Sequence, residues 1–145
     1  MIIYLKRLVV AILLISIVNN AFAGTSSMCS FNNCSVGDIA TTSYSQGSPV
    51  VGCPTKSLSL YANYVISMVA LGSTENELER SDTTFMRQIR KDAGVPNLKA
   101  TVSKCWLLKD GQQVKILEYS KAGSVKVSPT AGGITYWTQA NHLDR

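Results

Sequence analysis

Hydrophobic residues recur at steps of three and four positions between residues 57 and 71, and this spacing places them along one side of an α-helix. The apolar positions are Leu58, Tyr61, Val65, Met68 and Val69. Thr55 or Ser57 can accept the hydrogen bonds of the first turn, and Gly72 favours termination. The pattern predicts a helix whose apolar side is part of the core.

A second helical stretch covers residues 73–94. Thr74 and Glu77 have the spacing of a capping box, and residues 81–82 offer a new N-cap at which the helix can break. Gly94 suits the end of the stretch. Its predicted buried positions are Leu78, Phe85, Met86 and Ile89.

The hydrophobic period falls to two after Leu98, as expected for strands with one buried side. Strand candidates separated by turn residues are 101–108, 114–119, 125–128 and 134–138. The short apolar run at residues 49–54 predicts a first strand ahead of the helices. Short strands with turns at this spacing indicate a small β-barrel or sandwich, into which the helices are inserted.

The segment 24–48 is rich in Ser, Thr, Asn and Gly and has few apolar residues. Such a segment cannot bury much apolar surface on folding. We predict a polar arm here, held only by local links.

The first 23 residues have the order of a secretory signal peptide. Lys6 and Arg7 precede a short apolar run, and the small residues Ala21 and Ala23 take the positions before a cleavage site. The apolar run is shorter than the roughly 20 residues that a membrane anchor needs. We therefore expect a periplasmic or secreted protein without a stable membrane span.

Cleavage after Ala23 changes the charge. The whole chain has a formal net charge of +5, from 14 basic and 9 acidic residues. Without Lys6 and Arg7 the basic residues exceed the acidic ones by three. A mild, dispersed positive charge does not indicate a nucleic-acid-binding protein, so nucleic acid is not an expected partner.

The four cysteines, Cys29, Cys34, Cys53 and Cys105, all follow the predicted signal peptide. An even number in an exported chain indicates two disulfides, and three pairings are formally possible. We favour Cys29–Cys34, which closes a tight loop, and Cys53–Cys105, which joins two strand-like stretches. A four-thiolate zinc site is the alternative, but the spacing lacks paired Cys-x-x-Cys motifs.

Residues 111–119, the run 125–127 and the ending 133–143 resemble the C-terminal half of bacterial Src-homology-3-like (SH3-like) domains. Those domains have a Gly-x-x-Val-x-Val strand, a Val-Lys-Val-like run and a Gly-x-x-x-Trp-Val ending with a later Leu. The Leu-Asn-Val-Arg-x-Gly-Pro signature of their N-terminal half is absent, and a helical block lies between Cys53 and Cys105 instead. The whole arrangement is also similar to small secreted bacterial proteins of unknown role.

The resemblance implies a small SH3-like β-barrel of class α+β, braced by disulfides, in an extracytoplasmic bacterial setting. In this organisation residues 1–23 are the signal peptide, 24–48 the polar arm with its local disulfide, and 49–145 the barrel. The helical insertion follows the first strand, at about residues 55–94.

Catalytic signals are weak, so we expect a protein that is not an enzyme and needs no cofactor or metal. His142 is the only histidine, and a Cys–His hydrolase would need a free thiol beside it. Glu75, Glu77 and Glu79 lie near a helix start, where they favour the helix dipole.

Aromatic residues concentrate in the β part, and these are the candidate binding residues. Tyr136 and Trp137 are neighbours on a predicted strand, so their rings should face opposite sides and at least one should point outward. The alternative is that Trp137 fills the barrel core and Tyr136 packs under the helices. Together with two further rings and three bordering cations, the candidate surface comprises Trp106, Tyr119, Tyr136, Trp137, Lys104, Lys115 and Lys126.

We therefore expect a non-enzymatic binding or assembly module whose partner is an envelope or secretion-system protein. One alternative is a cell-wall-targeting protein that binds peptidoglycan, as the SH3-like resemblance implies. The other is a small secreted effector, inhibitor or toxin.

Overall fold

The computed structural model describes residues 28–29, 33–44, 49–80 and 83–145. The predicted signal peptide and the predicted helix break at 81–82 lie outside these residues. The chain in this part is α+β.

Five strands form one antiparallel sheet: β1 (Ile39–Thr42), β4 (Gln113–Tyr119), β5 (Ser124–Pro129), β6 (Tyr136–Gln139) and β7 (Leu143–Asp144). Their order across the sheet is β6-β5-β4-β1-β7. A separate two-stranded ribbon consists of β2 (Val51–Gly52) and β3 (Trp106–Leu107). A 3₁₀ helix at Ala140–His142 connects β6 to β7.

The helices lie between β2 and β3 in the chain. They are α1 (Lys56–Ala70), α2 (Glu75–Arg80), α3 (Thr84–Ala93) and α4 (Leu98–Lys104). The predicted helical stretches 57–71 and 73–94 are confirmed, with the second divided into α2 and α3. The predicted burial of Val69 and Phe85 is wrong, because these side chains are 54% and 68% exposed. Thr55 accepts a hydrogen bond from the Leu58 amide at 3.2 Å as the N-cap of α1.

The capping box that precedes α2 is confirmed. The Thr74 amide donates to Glu77 Oε2 at 2.7 Å, and the Glu77 amide donates to Thr74 Oγ1 at 3.3 Å. The bond from the Thr74 amide, followed by a hydrogen bond from the Thr74 side chain, lowers the pKa of the Glu77 carboxyl. Gly94 ends α3 in the left-handed conformation (φ 66°), which a residue without Cβ adopts at little cost.

Both favoured disulfides are present. Cys29 is bonded to Cys34 with a Cα–Cα distance of 5.0 Å, and Cys53 to Cys105 with a Cα–Cα distance of 4.4 Å. No thiolate is therefore left for the alternative zinc site.

The sheet is open, so the prediction of a closed barrel is wrong. Closure would require continuous pairing from the β6 edge around to β7, but β2, β3 and β7 are each two residues long. The ribbon meets β6 at a single bridge, where Cys53 and Trp137 exchange backbone hydrogen bonds of 2.9 and 2.8 Å. Strands this short cannot supply a complete ladder around a barrel.

The polar arm predicted for residues 24–48 contains a strand. β1 pairs with β4 on one side and β7 on the other, so it is an interior strand of the sheet. Its inward residues, Ala40 and Thr42, are small, and Thr42 Oγ1 accepts a hydrogen bond from the Gln112 amide at 2.9 Å. Backbone pairing rather than apolar content stabilises this strand. The helical insertion therefore follows the second strand, not the first.

The strand predicted for residues 101–108 is mostly helical. Asn97 caps α4 by accepting a hydrogen bond from the Ala100 amide at 2.9 Å, and the helix continues to Lys104. Only Trp106 and Leu107 are a strand. Tertiary packing and a good N-cap outweigh the alternating pattern of this segment.

Two hydrophobic clusters make up the core. One lies inside the sheet and includes the fully buried Ile116, Val125 and Val127. The other lies between the helices and includes Leu58 and Cys53. Gln139 joins the helical and sheet parts, because its buried Nε2 donates to Ser59 Oγ at 3.2 Å and to Ser124 Oγ at 2.9 Å.

Candidate functional site

The predicted binding residues do not share one surface. Tyr136 is 2% exposed and Trp137 is 9% exposed, so the expectation that one of these rings points outward is wrong. β6 is covered on both sides, which explains the burial of both rings. Tyr136 packs in the sheet cluster, and α1 lies against β6 on the other side, with Lys56 Nζ 5.9 Å from the Trp137 ring centre.

The strand register also separates two of the candidate lysines, Lys115 and Lys126, from most of the aromatic rings. Lys126 is paired with Trp137, and Lys115 is paired with Ser128, two residues further along β5. The side chains of residues that are paired on neighbouring strands lie on the same face of a sheet, and so do those of residues two apart on one strand. Lys115 and Lys126 therefore lie on the Trp137 face, whereas Trp106, Tyr119 and Tyr136 pack with the sheet cluster.

Tyr119 lies beside a polar cleft of about 420 Å³ at the start of α1. Lys56, Glu118 and Lys121 are also in its wall. Burial, and then the charge of Asp38, raise the pKa of the Tyr119 hydroxyl. The cleft contains both signs of charge and indicates no single class of ligand.

Trp106 lies where the structure has its clearest apolar concavities. One groove, about 240 Å³, opens between α1, α4 and the β2–β3 ribbon, beside Cys105; we call it the disulfide groove. Its wall includes Val51, Ala62, Val65, Ile66, Thr101 and Leu107 as well as Trp106. The polar groups of the wall are few, so the groove suits apolar side chains.

A second groove, about 290 Å³, lies between the ribbon and the turn that joins β5 to β6; we call it the hairpin groove. Its wall includes Leu108, Lys109, Pro129, Ile134 and Tyr136. Trp106 and Leu107 belong to both grooves. Leu107 is 68% exposed and Ile134 is 70% exposed, so large apolar side chains border the grooves and face solvent.

Contacts with Gly52 and Tyr136 fix the position of the Trp106 side chain. Trp106 is paired with Gly52, and a Cβ built on Gly52 would lie only 3.1 Å from Trp106 Nε1. The Trp106 ring also packs edge-on against Tyr136, with ring centres 5.8 Å apart and an angle of 79° between the planes. The indole is therefore a fixed wall between the two grooves.

Of the predicted binding residues, Trp106 and Tyr136 are in the walls of the grooves and Lys104 is in neither wall. The prediction does not include Leu107 and Ile134. A signal was present, because Trp106, Leu107 and Leu108 are consecutive large apolar residues. On an extended strand such a run must direct at least one apolar side chain away from the core. The disulfide groove could not be predicted, since α4 supplies part of its wall and that segment reads as a strand.

His142 has a structural contact. Its Nε2 lies 3.3 Å from Asn63 Oδ1 of α1, and burial lowers the pKa of the imidazole. All four cysteines are in disulfides, so no thiol is available beside the ring. Within the described ranges, three or more His, Cys, Asp or Glu side chains do not cluster as a metal site would require.

Among the helices that the structure describes, none is both long and apolar enough to cross a membrane. Comparison of the chain with protein-family models, with curated proteins and with solved structures found no match.

Proposed function

We propose that this protein is a non-enzymatic binding module, periplasmic or secreted, that holds an apolar segment of a partner protein across Trp106 and Leu107. The observation that carries the proposal is the exposure of Leu107, at 68%, between two grooves that share a fixed tryptophan. The partner that we propose is a protein of the cell envelope or of a secretion assembly.

The size of the grooves supports a protein segment rather than a small molecule. Small-molecule sites usually enclose about 300–1,000 Å³ and bury most of the ligand. The disulfide groove is about 240 Å³ and open to the surface. Its volume suits one or two side chains of a partner, which is how hot-spot residues insert at protein interfaces.

The arrangement of the aromatic rings supports a protein partner over peptidoglycan. Sugar binding by stacking needs an accessible ring face, but Tyr136 and Trp137 are buried, and Trp106 is partly buried and packed edge-on against Tyr136. The large apolar side chains that the grooves expose, Leu107 and Ile134, are aliphatic. Aliphatic residues gain from burial against another apolar surface, at about 25 cal/mol for each Å² removed from water.

Two disulfides support the proposed location, since disulfides persist in oxidising compartments. We also propose that residues 111–143 are SH3-like in arrangement. The support is that the segments with this resemblance are the antiparallel strands β4, β5 and β6 and the following 3₁₀ helix. This proposal concerns the arrangement of the strands and adds no ligand.

The test is a selection of short random peptides on the immobilised, oxidised protein without its predicted signal peptide. We expect enrichment of apolar peptides whose binding is lost in a Leu107→Glu variant, because a carboxylate between the grooves cannot be desolvated without a partner. Phe85→Glu is the matched control, since Phe85 is also 68% exposed but lies on α3, outside both grooves.

Peptides that bind both variants equally would contradict the proposal. Co-sedimentation with purified sacculi is the second arm. Pelleting that survives high salt and is insensitive to Leu107→Glu would favour the cell wall as the ligand instead.

A further inference from the structure

Along residues 50–53, which include β2, the backbone N–H and C=O groups point alternately to β3 and to β6. The Leu108 amide donates to the Val50 carbonyl at 2.9 Å, so Val50 faces β3. Cys53 exchanges hydrogen bonds with Trp137, so Cys53 faces β6. Successive residues of a strand direct their backbone N–H and C=O groups to opposite sides. Gly52 therefore bonds toward β3, and Val51 directs its groups toward β6.

The same alternation leaves Leu107 with an open side. Leu107 is paired with Val51, between the hydrogen-bonded positions at Trp106 and Leu108. In an antiparallel pair, the groups of such a residue point away from the partner strand. β2 is the strand that pairs with β3 in the part of the chain that the structure describes. The N–H and C=O of Leu107 thus face the outer edge of the ribbon.

This open edge lies between the two grooves. Part of the disulfide groove wall is α1, the helix that covers the Trp137 side of β6. The wall of the hairpin groove includes Tyr136. Trp137 and Tyr136 are neighbours on β6 and point to opposite sides of it. The two grooves therefore lie on opposite faces of the structure, with the β3 edge between them.

We propose that β3 accepts an extended segment of the partner as an added strand. The segment hydrogen-bonds to the backbone of Leu107, and its side chains enter the disulfide groove and the hairpin groove in alternation, as the period of a strand requires. This inference rests on the proposed function and adds the binding mode.

Charge specifies the chemistry of the segment. Lys104 and Lys109 lie on either side of β3 in the chain, and both are exposed. Lys104 Nζ donates to the Gly94 carbonyl at 3.2 Å, an uncharged acceptor that leaves its positive charge in place. The nearby Asp110 carboxylate accepts a hydrogen bond from the Tyr44 amide at 3.0 Å. The segment that fits has a short apolar centre with acidic residues at its ends. A second copy of this chain fits less well, because it would bring Lys104 and Lys109 of both copies into one small interface.

The experiment uses synthetic peptides with the sequence Glu-Val-Ile-Val-Ile-Glu. One form is unmodified. In each of two other forms every second amide is N-methylated, so that one form lacks the N–H donors of one edge of the extended peptide and the other form lacks those of the opposite edge. Methylation removes an N–H donor and leaves the side chains in place. We expect the unmodified peptide to bind and one methylated form to bind about tenfold or more weakly, which is the effect of losing a backbone hydrogen bond.

The other methylated form is the matched control and should keep its affinity. Hydrogen exchange of the Leu107 amide should slow when the unmodified peptide binds. Replacement of both Glu residues of the peptide by Lys should weaken binding, and high salt should reduce the difference.

The outcomes separate the inference from the proposed function. Equal binding of both methylated forms, with Leu107 exchange unchanged and Leu107→Glu still disruptive, overturns strand addition but leaves the groove function. Failure of the acidic peptide while randomly selected apolar peptides bind also overturns the inference. Failure of every apolar peptide overturns both. Protection of Leu107 that rises with protein concentration alone overturns the inference in favour of self-association.

Discussion

The Tyr136 hydroxyl is buried and has no hydrogen-bond partner among the described residues. A buried hydroxyl without a partner costs about 1–3 kcal/mol in lost hydration. Tyr136→Phe removes the hydroxyl and keeps the ring that packs against Trp106. We therefore expect a free energy of unfolding that is unchanged or higher by about 1 kcal/mol, measured by urea denaturation. A loss of more than that would mean that the hydroxyl has a stabilising contact.

The same substitution should change the response to alkali. Burial raises the pKa of Tyr136 to about 12, whereas an unfolded tyrosine titrates near 10. The unfolded chain loses this proton first, so the free energy of unfolding should fall as pH rises from about 10 toward 12. This slope should be smaller in Tyr136→Phe. An identical slope in both proteins would show that other groups cause the alkaline loss.

Gly52 has no room for a methyl group. A Cβ there would meet Leu108 Cδ2 at 2.9 Å, Tyr136 Cδ2 at 3.0 Å and Trp106 Nε1 at 3.1 Å. We expect Gly52→Ala to lower the free energy of unfolding by about 1–3 kcal/mol through overpacking. In a Leu108→Ala background the nearest contact is gone, so the same change should cost less. Equal costs in both backgrounds would indicate a backbone effect instead.

His142 links the 3₁₀ helix to α1 through Asn63. Burial lowers the pKa of its imidazole, so the unfolded state binds the proton more readily. The free energy of unfolding should therefore fall as pH falls below about 6.5. His142→Gln should reduce this acid dependence in urea denaturation between neutral and mildly acidic pH. Retention of the full dependence in the variant would assign it to carboxylates.

The two disulfides brace the elements unequally. Cys53–Cys105 spans 52 residues and joins the ribbon to the helical insertion, whereas Cys29–Cys34 spans 5 residues. The chain-entropy model gives about 4 kcal/mol for the long loop and about 2 kcal/mol for the short one. We expect paired Cys→Ala variants to lose stability in that order, measured by urea denaturation under non-reducing conditions. A larger loss of stability on removal of Cys29–Cys34 than of Cys53–Cys105 would contradict the predicted order.

Elements with strong local signals could be predicted from the sequence. The helical period and the Thr55 cap specify α1, and the alternation of Val114 and Ile116 specifies β4. β1 could not be predicted, because its buried residues Ala40 and Thr42 are small and its partners are strands more than seventy residues later in the chain. Non-local pairing leaves no periodic trace in a short polar segment.

The candidate site was only partly predictable for the same reason. Trp106 was identified as a binding residue, but the grooves on its two sides are formed by elements that lie far from it in sequence. Ile134 reaches the hairpin groove from a turn, and Ala62 reaches the disulfide groove from α1. The apolar run 106–108 indicates that one side chain points away from the core, but which one does so depends on the position of the ribbon against the sheet.

The molecule as a whole has two hydrophobic clusters, and Gln139 connects the parts that contain them. Gln139→Ala leaves a cavity and removes the donor to both serine hydroxyls. We expect the free energy of unfolding to fall by about 3 kcal/mol and the helical and sheet parts to unfold in separate transitions. Circular dichroism and tryptophan fluorescence monitor these transitions. Gln113→Ala, at an exposed position of β4, is the control. Coincident transitions in Gln139→Ala would show that other contacts couple the clusters.

The pairing of Cys53 with Cys105 has a consequence for biogenesis. A chain that crosses a membrane from its N-terminus presents Cys29, Cys34 and Cys53 to the oxidising side well before Cys105 arrives, because 52 residues separate the last two. During that interval the nascent chain has three thiols, and the one native disulfide that they can form is Cys29–Cys34. Cys53 can instead form a non-native disulfide with Cys29 or Cys34. Correct maturation then depends on thiol–disulfide exchange, in which a mispaired Cys53 is released by attack of a thiolate. A host that lacks a disulfide isomerase should therefore accumulate scrambled forms of this protein.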